Sequence, residues 1–295
     1  MGIDPERVLE ALESIRKNLG KQINAEWVVS SIIFYLHSAW FICNKLDRPL
    51  NILDIGCSYG YGIYLMLGIC RDKVSKIIGV DISDSHILYA REQIKHDNVI
   101  FDVGNLTDRE YAKTLLNKYG HFDAITCFEV FEHISPRESK KLLENIWLLL
   151  NPGGLLFIST PNKKVYDIDA YTEDHVNEVN FTRFLEILRD NNFEIISVEG
   201  SRRVSPSLVR LIYKFNLEAR RGDIKNELNI PRKYLRSVLV ALFEPKRLLF
   251  AIFKKTNYRK FLLSIITDRM LNDDPMNSSL VYVIAKKKEN TPATL

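Results

Sequence analysis

Apolar residues fall at Val8, Leu9, Leu12 and Ile15, the spacing of one helix face over residues 5–18. A second helix is predicted over residues 25–43. Asn51–Ile55 (NILDI) is a short apolar run that ends at a glycine-rich turn. Beyond it, strand-like and helix-like patterns alternate. Strands are predicted at Ile77–Asp81, Val99–Val103, Phe122–Phe128, Leu155–Thr160 and Phe193–Val198. Helices are predicted between them at Ser85–His96, Asp108–Tyr119, Pro136–Leu150 and Phe181–Asn191. Asn151-Pro152-Gly153-Gly154 stops the third of these. Repeated strand–helix units with short connections predict a mainly parallel sheet with helices on both faces. Residues 205–275 break the rhythm. They read as mostly helical, punctuated by Pro206, Pro231, Pro245 and Pro275, before Ser279–Ala285 returns to strand character. The expected organisation is an N-terminal helical cover (1–48), an α/β core (49–201 plus 276–288), a helical insert before the last strand (202–275) and a polar tail (289–295).

Composition narrows the class. Of 295 residues, 46% are hydrophobic and 26% charged, a globular balance that excludes a disordered chain, a collagen and a disulfide miniprotein. The formal net charge of +4 conceals a division: residues 1–201 carry a net −8 and residues 202–260 a net +12. Such asymmetry points to an anionic partner for the basic segment. Its cations, from Arg202 to Lys260, are interleaved with apolar stretches such as Leu235–Phe253. Three readings fit: a substrate lid with solvated cations, an interfacial segment on an anionic membrane that admits a lipid-linked substrate, or a track for a nucleic-acid backbone. The apolar content favours lid or membrane over nucleic acid.

Cys43, Cys57, Cys70 and Cys127 contain no Cys-x-x-Cys pair, which argues against a zinc framework. Reduced thiols in a cytoplasmic protein, peripheral to the inner membrane face, are the expectation. The opening residues show no basic-then-apolar leader. The longest uncharged run, Trp27–Cys43, has 17 residues and includes Ser30, Ser31, His37 and Ser38, whereas a bilayer span needs about 20 apolar ones.

The first chemical signal is Leu53-Asp54-Ile55-Gly56-Cys57-Ser58-Tyr59-Gly60-Tyr61-Gly62. Glycines after a buried strand let the backbone turn sharply and approach a ligand. Asp81 ends the next strand, 21 residues past Gly60, where a carboxylate can accept both hydroxyls of a ribose. A dinucleotide dehydrogenase would want Gly-x-Gly-x-x-Gly, but residues 56–62 read G-C-S-Y-G-Y-G. With Glu129-Val130-Phe131-Glu132-His133 and Leu150-Asn151-Pro152-Gly153-Gly154, the chain resembles class I S-adenosylmethionine-dependent methyltransferases of the type 11/23-like group. The resemblance runs from about residue 49 to 200 and resumes at 279–288. It implies a Rossmann-like seven-stranded sheet that binds S-adenosylmethionine and releases S-adenosylhomocysteine. The implied cofactor contacts are Asp54, Gly56, Cys57, Ser58, Tyr59, Gly60, Asp81, Ile82, Asn105, Leu106, Phe128 and Glu129. Among them Asp81 would hold the ribose and Asn105 the adenine amino group. Ser58 stands where many members have glycine, and Asn105 where they have aspartate. An amide oxygen accepts the same hydrogen bond. The plain alternative for Asn105 is a turn cap.

Methyl transfer needs an aligned nucleophile and removal of its proton. Glu129, Glu132 and His133 stand at i, i+3 and i+4 and share one face if the chain turns helical after its strand. His133 is the leading base, since imidazole titrates near about pH 6.5, with Glu129 or Glu132 to orient it. His175, in the later string Thr172-Glu173-Asp174-His175-Val176-Asn177-Glu178, would complete a pair. Two readings stay open. In one, Glu129, Glu132, His133 and His175 bind a divalent metal such as Mg²⁺ or Mn²⁺, resembling the small-RNA 3′-terminal 2′-O-methyltransferases. In the other they form a metal-free base and substrate loop, resembling methyltransferases of sugars and quinone precursors. The RNA-type string His-x-x-Glu-Trp-Thr-Arg contains a tryptophan that residues 175–183 lack and is two residues shorter, which favours the metal-free reading. The bland alternative has Glu132 capping the next helix and His175 in a surface loop. The expected activity is O-methylation of a saccharide or lipid-linked glycan hydroxyl on a small-molecule or glycan acceptor. A quinone-precursor O-methyltransferase, a metal-dependent RNA 2′-O-methyltransferase and a non-catalytic cofactor-binding module are the alternatives.

Overall fold

The computed structural model describes residues 25–46, 48–70, 73–163, 175–201, 275–276, 278 and 280–288. The predicted helix over 5–18, nearly all of the 202–275 insert and the polar tail lie outside the described residues. In chain order the described elements are α1 (Ala25–Lys45), β1 (Leu50–Ile55), α2 (Tyr61–Cys70), β2 (Val74–Asp81), α3 (Asp84–Gln93), β3 (Val99–Val103) and α4 (Arg109–Tyr119). They continue with β4 (Phe122–Phe128), a 3₁₀ turn (Phe131–His133), α5 (Pro136–Leu149), β5 (Leu150–Pro161), α6 (Phe181–Asp190), β6 (Phe193–Ser201) and β7 (Leu280–Lys287).

The seven strands form one sheet in the order β3-β2-β1-β4-β5-β7-β6. β3, β2, β1, β4 and β5 pair in parallel. β7 lies antiparallel between β5 and β6. The predicted α/β class is therefore observed, and the strand predicted at Ser279–Ala285 is β7. Both faces are covered. Phe34, Ile63 and Ile87, from α1, α2 and α3, pack on one face. Leu115, Leu143 and Phe184, from α4, α5 and α6, pack on the other. Burial on both faces explains why β4 is buried at every position and reads as an unbroken apolar run.

Helix starts follow their capping residues. The side chains of Ser83, Asp108, Ser135 and Asn180 each accept a backbone N–H at the start of α3, α4, α5 and α6. Ser135 also donates to Glu138 at 2.8 Å, and Pro136 occupies the first turn, where its missing N–H costs nothing. Helix α2 has no counterpart in the sequence pattern. It reads YGIYLMLGIC, with eight of its ten residues buried, so it has no polar face to reveal a helical period.

β5 begins earlier than expected, at Leu150 rather than Leu155. Phe122 pairs with Leu150 and Ala124 with Leu155, so two steps along β4 match five along β5. The Asn-Pro-Gly-Gly segment is a bulge inside the strand, with Gly153 at φ +72°, not a turn ahead of it.

α1 lies across β4, β5 and β7, where Phe34 stacks on Tyr282 at 5.1 Å and Phe41 meets Phe157 edge-on at 5.8 Å. Cys43 and Cys70 are joined as a disulfide, which corrects the expectation of four reduced thiols. α1 and α2 each precede a strand of the parallel sheet, so they run alongside and their last turns meet. Cys57 and Cys127 are free and buried.

Candidate active site

The carboxyl ends of β1, β2, β4 and β5 carry the predicted residues together at one edge of the sheet. In open α/β sheets this is the edge where ligands bind. After β1 the turn uses Gly56 at φ +71°, Ser58 at φ +48° and Gly60 at φ +82°. Positive φ at position 58 explains the glycine of related sequences; here serine adopts the left-handed conformation itself. A side chain at Gly56 would fall 2.3 Å from Val130, and one at Gly60 within 2.9 Å of Ile94 and Phe101. The glycines thus let the turn pack on the protein as well as approach a ligand.

Asp81 fixes that turn to the next helix. Its Oδ2 accepts the Ser58 N–H at 2.8 Å and its Oδ1 the Ser83 N–H at 2.9 Å. Each oxygen keeps a second lone-pair direction for a ribose hydroxyl. Ile82, beside it, is 76% exposed, unusual for isoleucine and suited to covering a flat apolar ring. Tyr59 lies on the same side, with its ring 4.3 Å from His86 and 5.4 Å from Tyr89. The structure thus brings a ribose acceptor, an apolar platform and a glycine turn together, and these residues fit a bound adenosyl group.

Other predicted contacts are placed differently. Asn105 is exposed and its Oδ1 accepts both the N–H and the hydroxyl of Thr107 at 2.9 Å, so it does act as a turn cap. Leu106 is buried in the core, and its carbonyl accepts from Asn145. Phe128 is buried beneath α1, 4.8 Å from the Tyr35 ring. Cys57 is buried, and desolvation pushes its thiol well above the ordinary range, which makes it a poor nucleophile. Asp54 is fully buried and accepts from Tyr35 and Thr126.

Glu129, Glu132 and His133 do not share one face. Glu129 takes φ +54° at the end of β4, which breaks any helical continuation, and the turn that follows is a short 3₁₀ segment. Ser159 donates to Glu129 Oε1 at 2.8 Å, while Thr160 donates to Glu132 Oε2 at 3.2 Å. Alternation along β5 puts Ser159 and Thr160 on opposite faces, so the two carboxylates are held on opposite sides of the sheet. The predicted four-residue cluster is corrected to three: Glu132, His133 and His175 bring one ligand atom each within 4.8 Å of one another, and Glu129 is not among them.

His175 is neither a surface loop residue nor isolated. The backbone N–H groups of Val176 and Asn177 donate to the Glu132 carbonyl at 2.9 and 3.1 Å, which docks the 175–178 segment on the 3₁₀ turn. His175 Nδ1 lies 2.7 Å from Glu178 Oε1, with only 4% and 5% of the two side chains exposed. The His133 ring meets it edge-on at 4.8 Å. A carboxylate only accepts, so Nδ1 of His175 carries the proton and Nε2 is left basic. Glu178, Tyr35, Thr126, Ser159 and Thr160 were not among the predicted site residues. The His175–Glu178 spacing of three was visible, but nothing in it announced which carboxylate would orient the ring.

A glycine turn and a spaced acid on this strand order are those of the class I S-adenosylmethionine-dependent methyltransferase fold. Residues 34–198 match the family described as a methyltransferase domain, and the chain belongs to that family. The ubiquinone biosynthesis O-methyltransferase of Saccharomyces cerevisiae is 29% identical over 175 residues, covering 52% of this chain and 53% of that protein. The chain spans about half the length of the curated relatives it matches. Among solved structures, a methyltransferase in complex with the Haloferax volcanii Trm112 methyltransferase activator superposes with a TM-score of 0.54 at 13% identity, covering 96% of this chain and 98% of that one. The [4+2]-cyclase SpnF superposes with a TM-score of 0.52 at 18% identity, covering 97% and 98%. At such identities the likeness shows the fold alone, and SpnF shows that this fold is not confined to one chemistry.

Proposed function

We propose that the protein transfers the methyl group of S-adenosylmethionine to a hydroxyl oxygen of a small-molecule acceptor. The observation that carries this reading is the buried Glu178–His175 pair beside His133 at the carboxyl edge of the sheet. When bound, S-adenosylmethionine supplies an electrophilic methyl carbon and leaves as S-adenosylhomocysteine. The acceptor oxygen forms the new C–O bond as the C–S bond breaks and its electron pair returns to sulfur. The hydroxyl proton passes to His175 Nε2, while Glu178 holds the ring in place through Nδ1. His133, exposed at the rim, orients the acceptor or takes the proton onward to solvent.

The finer acceptor reading is a saccharide or lipid-linked glycan. It is supported by the apolar and basic composition of residues 202–275, which suits an anionic membrane surface at the inner face. The relatives named for ubiquinone biosynthesis make a quinone precursor the competing acceptor. A second mechanistic reading rests on the Glu132, His133 and His175 set. One carboxylate and two imidazoles suit a divalent metal, which would polarise the acceptor oxygen. Nucleic acid is disfavoured as acceptor.

The test is methylation of a glycan, quinone-precursor and RNA panel, with added Mg²⁺ or with chelator, by the unaltered chain and by His175→Ala. Methylation of a glycan hydroxyl, insensitive to chelator and reduced about 10²–10⁴-fold in His175→Ala, is expected. Binding of S-adenosylmethionine with no methylated product from any panel member would sink the enzyme reading in favour of a binding module.

A further inference from the structure

Gly62 is the second residue of α2, and its φ is not in the left-handed region, so backbone conformation does not require glycine there. What requires it is a ring. A Cβ at Gly62 would fall 2.0 Å from the side chain of Tyr35, which arrives from α1. That ring is buried, with 5% of the residue exposed, and its edge packs on Phe128 at 4.8 Å. Its hydroxyl passes over the glycine to the end of β1 and sits 3.0 and 3.1 Å from the two carboxylate oxygens of Asp54. Thr126 of β4 donates to Asp54 Oδ1 from the other side at 2.6 Å. Asp54 is fully buried, two residues before the first glycine of the turn.

We infer that Tyr35 is a positioning residue for the cofactor turn: its hydroxyl spans both oxygens of Asp54 at the foot of the turn, and its ring, seated on Gly62, fixes α1 there. The third glycine of the turn thereby serves the helical cover and not the ligand. The inference rests on the reading that this turn receives S-adenosylmethionine. The groups that face Asp54 are Tyr35 from α1, Thr126 and Cys127 from β4, Cys57 from the turn and Asp81 from β2. Asp54 is raised to about 7: burial is the main cause, the Thr126 and Tyr35 hydroxyls oppose the rise, and Asp81 adds to it. A cationic ligand in the turn favours the ionised form, so affinity is expected to fall as pH drops through that value.

The experiment is calorimetric titration of the full chain with S-adenosylmethionine across pH 5.5–8.5, for the unaltered chain, Tyr35→Phe and Gly62→Ala. Loss of the phenolic donor raises the Asp54 pKa. In Tyr35→Phe the midpoint of the affinity–pH curve should therefore move up by about one pH unit, with affinity at pH 7 down about fivefold. Unfolding of the ligand-free chain gives the same readout without ligand. An acid whose pKa is raised on folding makes the fold lose stability as pH climbs from its unfolded to its folded value. For Asp54 that window runs from 3.8 to about 7, and in Tyr35→Phe the loss should continue above pH 7. Gly62→Ala should weaken binding although alanine suits a helix better than glycine, and should do no harm in a Tyr35→Ala background. Binding with an unmoved midpoint in Tyr35→Phe, or equal harm from Gly62→Ala in both backgrounds, overturns the inference alone. Absence of binding by the unaltered chain at every pH overturns the cofactor reading and the inference with it.

Discussion

Two buried aspartates sit at opposite edges of the same sheet and are treated differently. Asp123, at the amino end of β4, is 2% exposed and pairs with the guanidinium of Arg48. It also accepts the Asn51 N–H at 2.9 Å and the Asn151 amide at 2.6 Å. Asp54, at the carboxyl end of β1, is bonded to two hydroxyls. The contrast extends along each edge. At the amino edge, Lys73 donates to the Cys43 and Leu46 carbonyls at the end of α1, and Lys287 donates to the Leu150 carbonyl at the end of α5. At the carboxyl edge stand Asp54, Asp81, Glu129 and Glu132. The parallel topology explains the division. Helix C-termini, with their partial negative charge, gather at the amino edge and draw cations, while helix N-termini gather at the carboxyl edge and tolerate acids. One edge is closed on itself by ionic and covalent ties. The other holds carboxylates whose natural complement is a cationic ligand.

Three substitutions sharpen that division, and in each the affinity for S-adenosylmethionine is expected to hold. The largest effect belongs to the Cys43–Cys70 link, which closes a loop of 27 residues. Serine at both positions should cost about 3.5 kcal/mol of unfolding free energy in the chain-entropy account, measured by denaturant titration. Thiol counting on the unreduced protein should first find Cys57 and Cys127 alone in the reduced form. Asp123→Ala comes next. It strands the Asn51 N–H and the Asn151 amide and should cost about 1–3 kcal/mol, read from the same titration. A tenfold loss of cofactor affinity in this variant would break the separation of the edges. The smallest effect is Arg48→Ala. Its side chain is 56% exposed, so the ion pair is screened, and the expected loss is below about 1 kcal/mol, diminishing with added salt.

The fold was largely legible because most of its elements carry a period or a cap. Strands β3 and β4 are predicted at their observed bounds, and the helix starts at Pro136 as predicted. α2 was not legible, since a helix buried nearly all round has no polar stripe to set its period. In sequence the bulge in β5 has the chemistry of a turn, Asn-Pro-Gly-Gly, and the pairing of Leu150 with Phe122 is a long-range fact. At the site, Asp81 and the glycine turn stand at the predicted strand ends. The helical face proposed for Glu129, Glu132 and His133 failed because it assumed a conformation that Glu129, at φ +54°, does not take.

The sequence by itself determined what depends on neighbours in the chain: the alternation of strands and helices, the glycine turn with its spaced acid, the caps, and the division of charge between residues 1–201 and 202–260. Tertiary structure decided what depends on distant segments meeting. It set Tyr35 on Gly62 and against Asp54, it parted Glu129 from Glu132 by giving them Ser159 and Thr160, and it joined His175 to His133. Periodicity fixes which face of an element is buried. It does not fix which side chain from another element will arrive there, and the site is made of those arrivals.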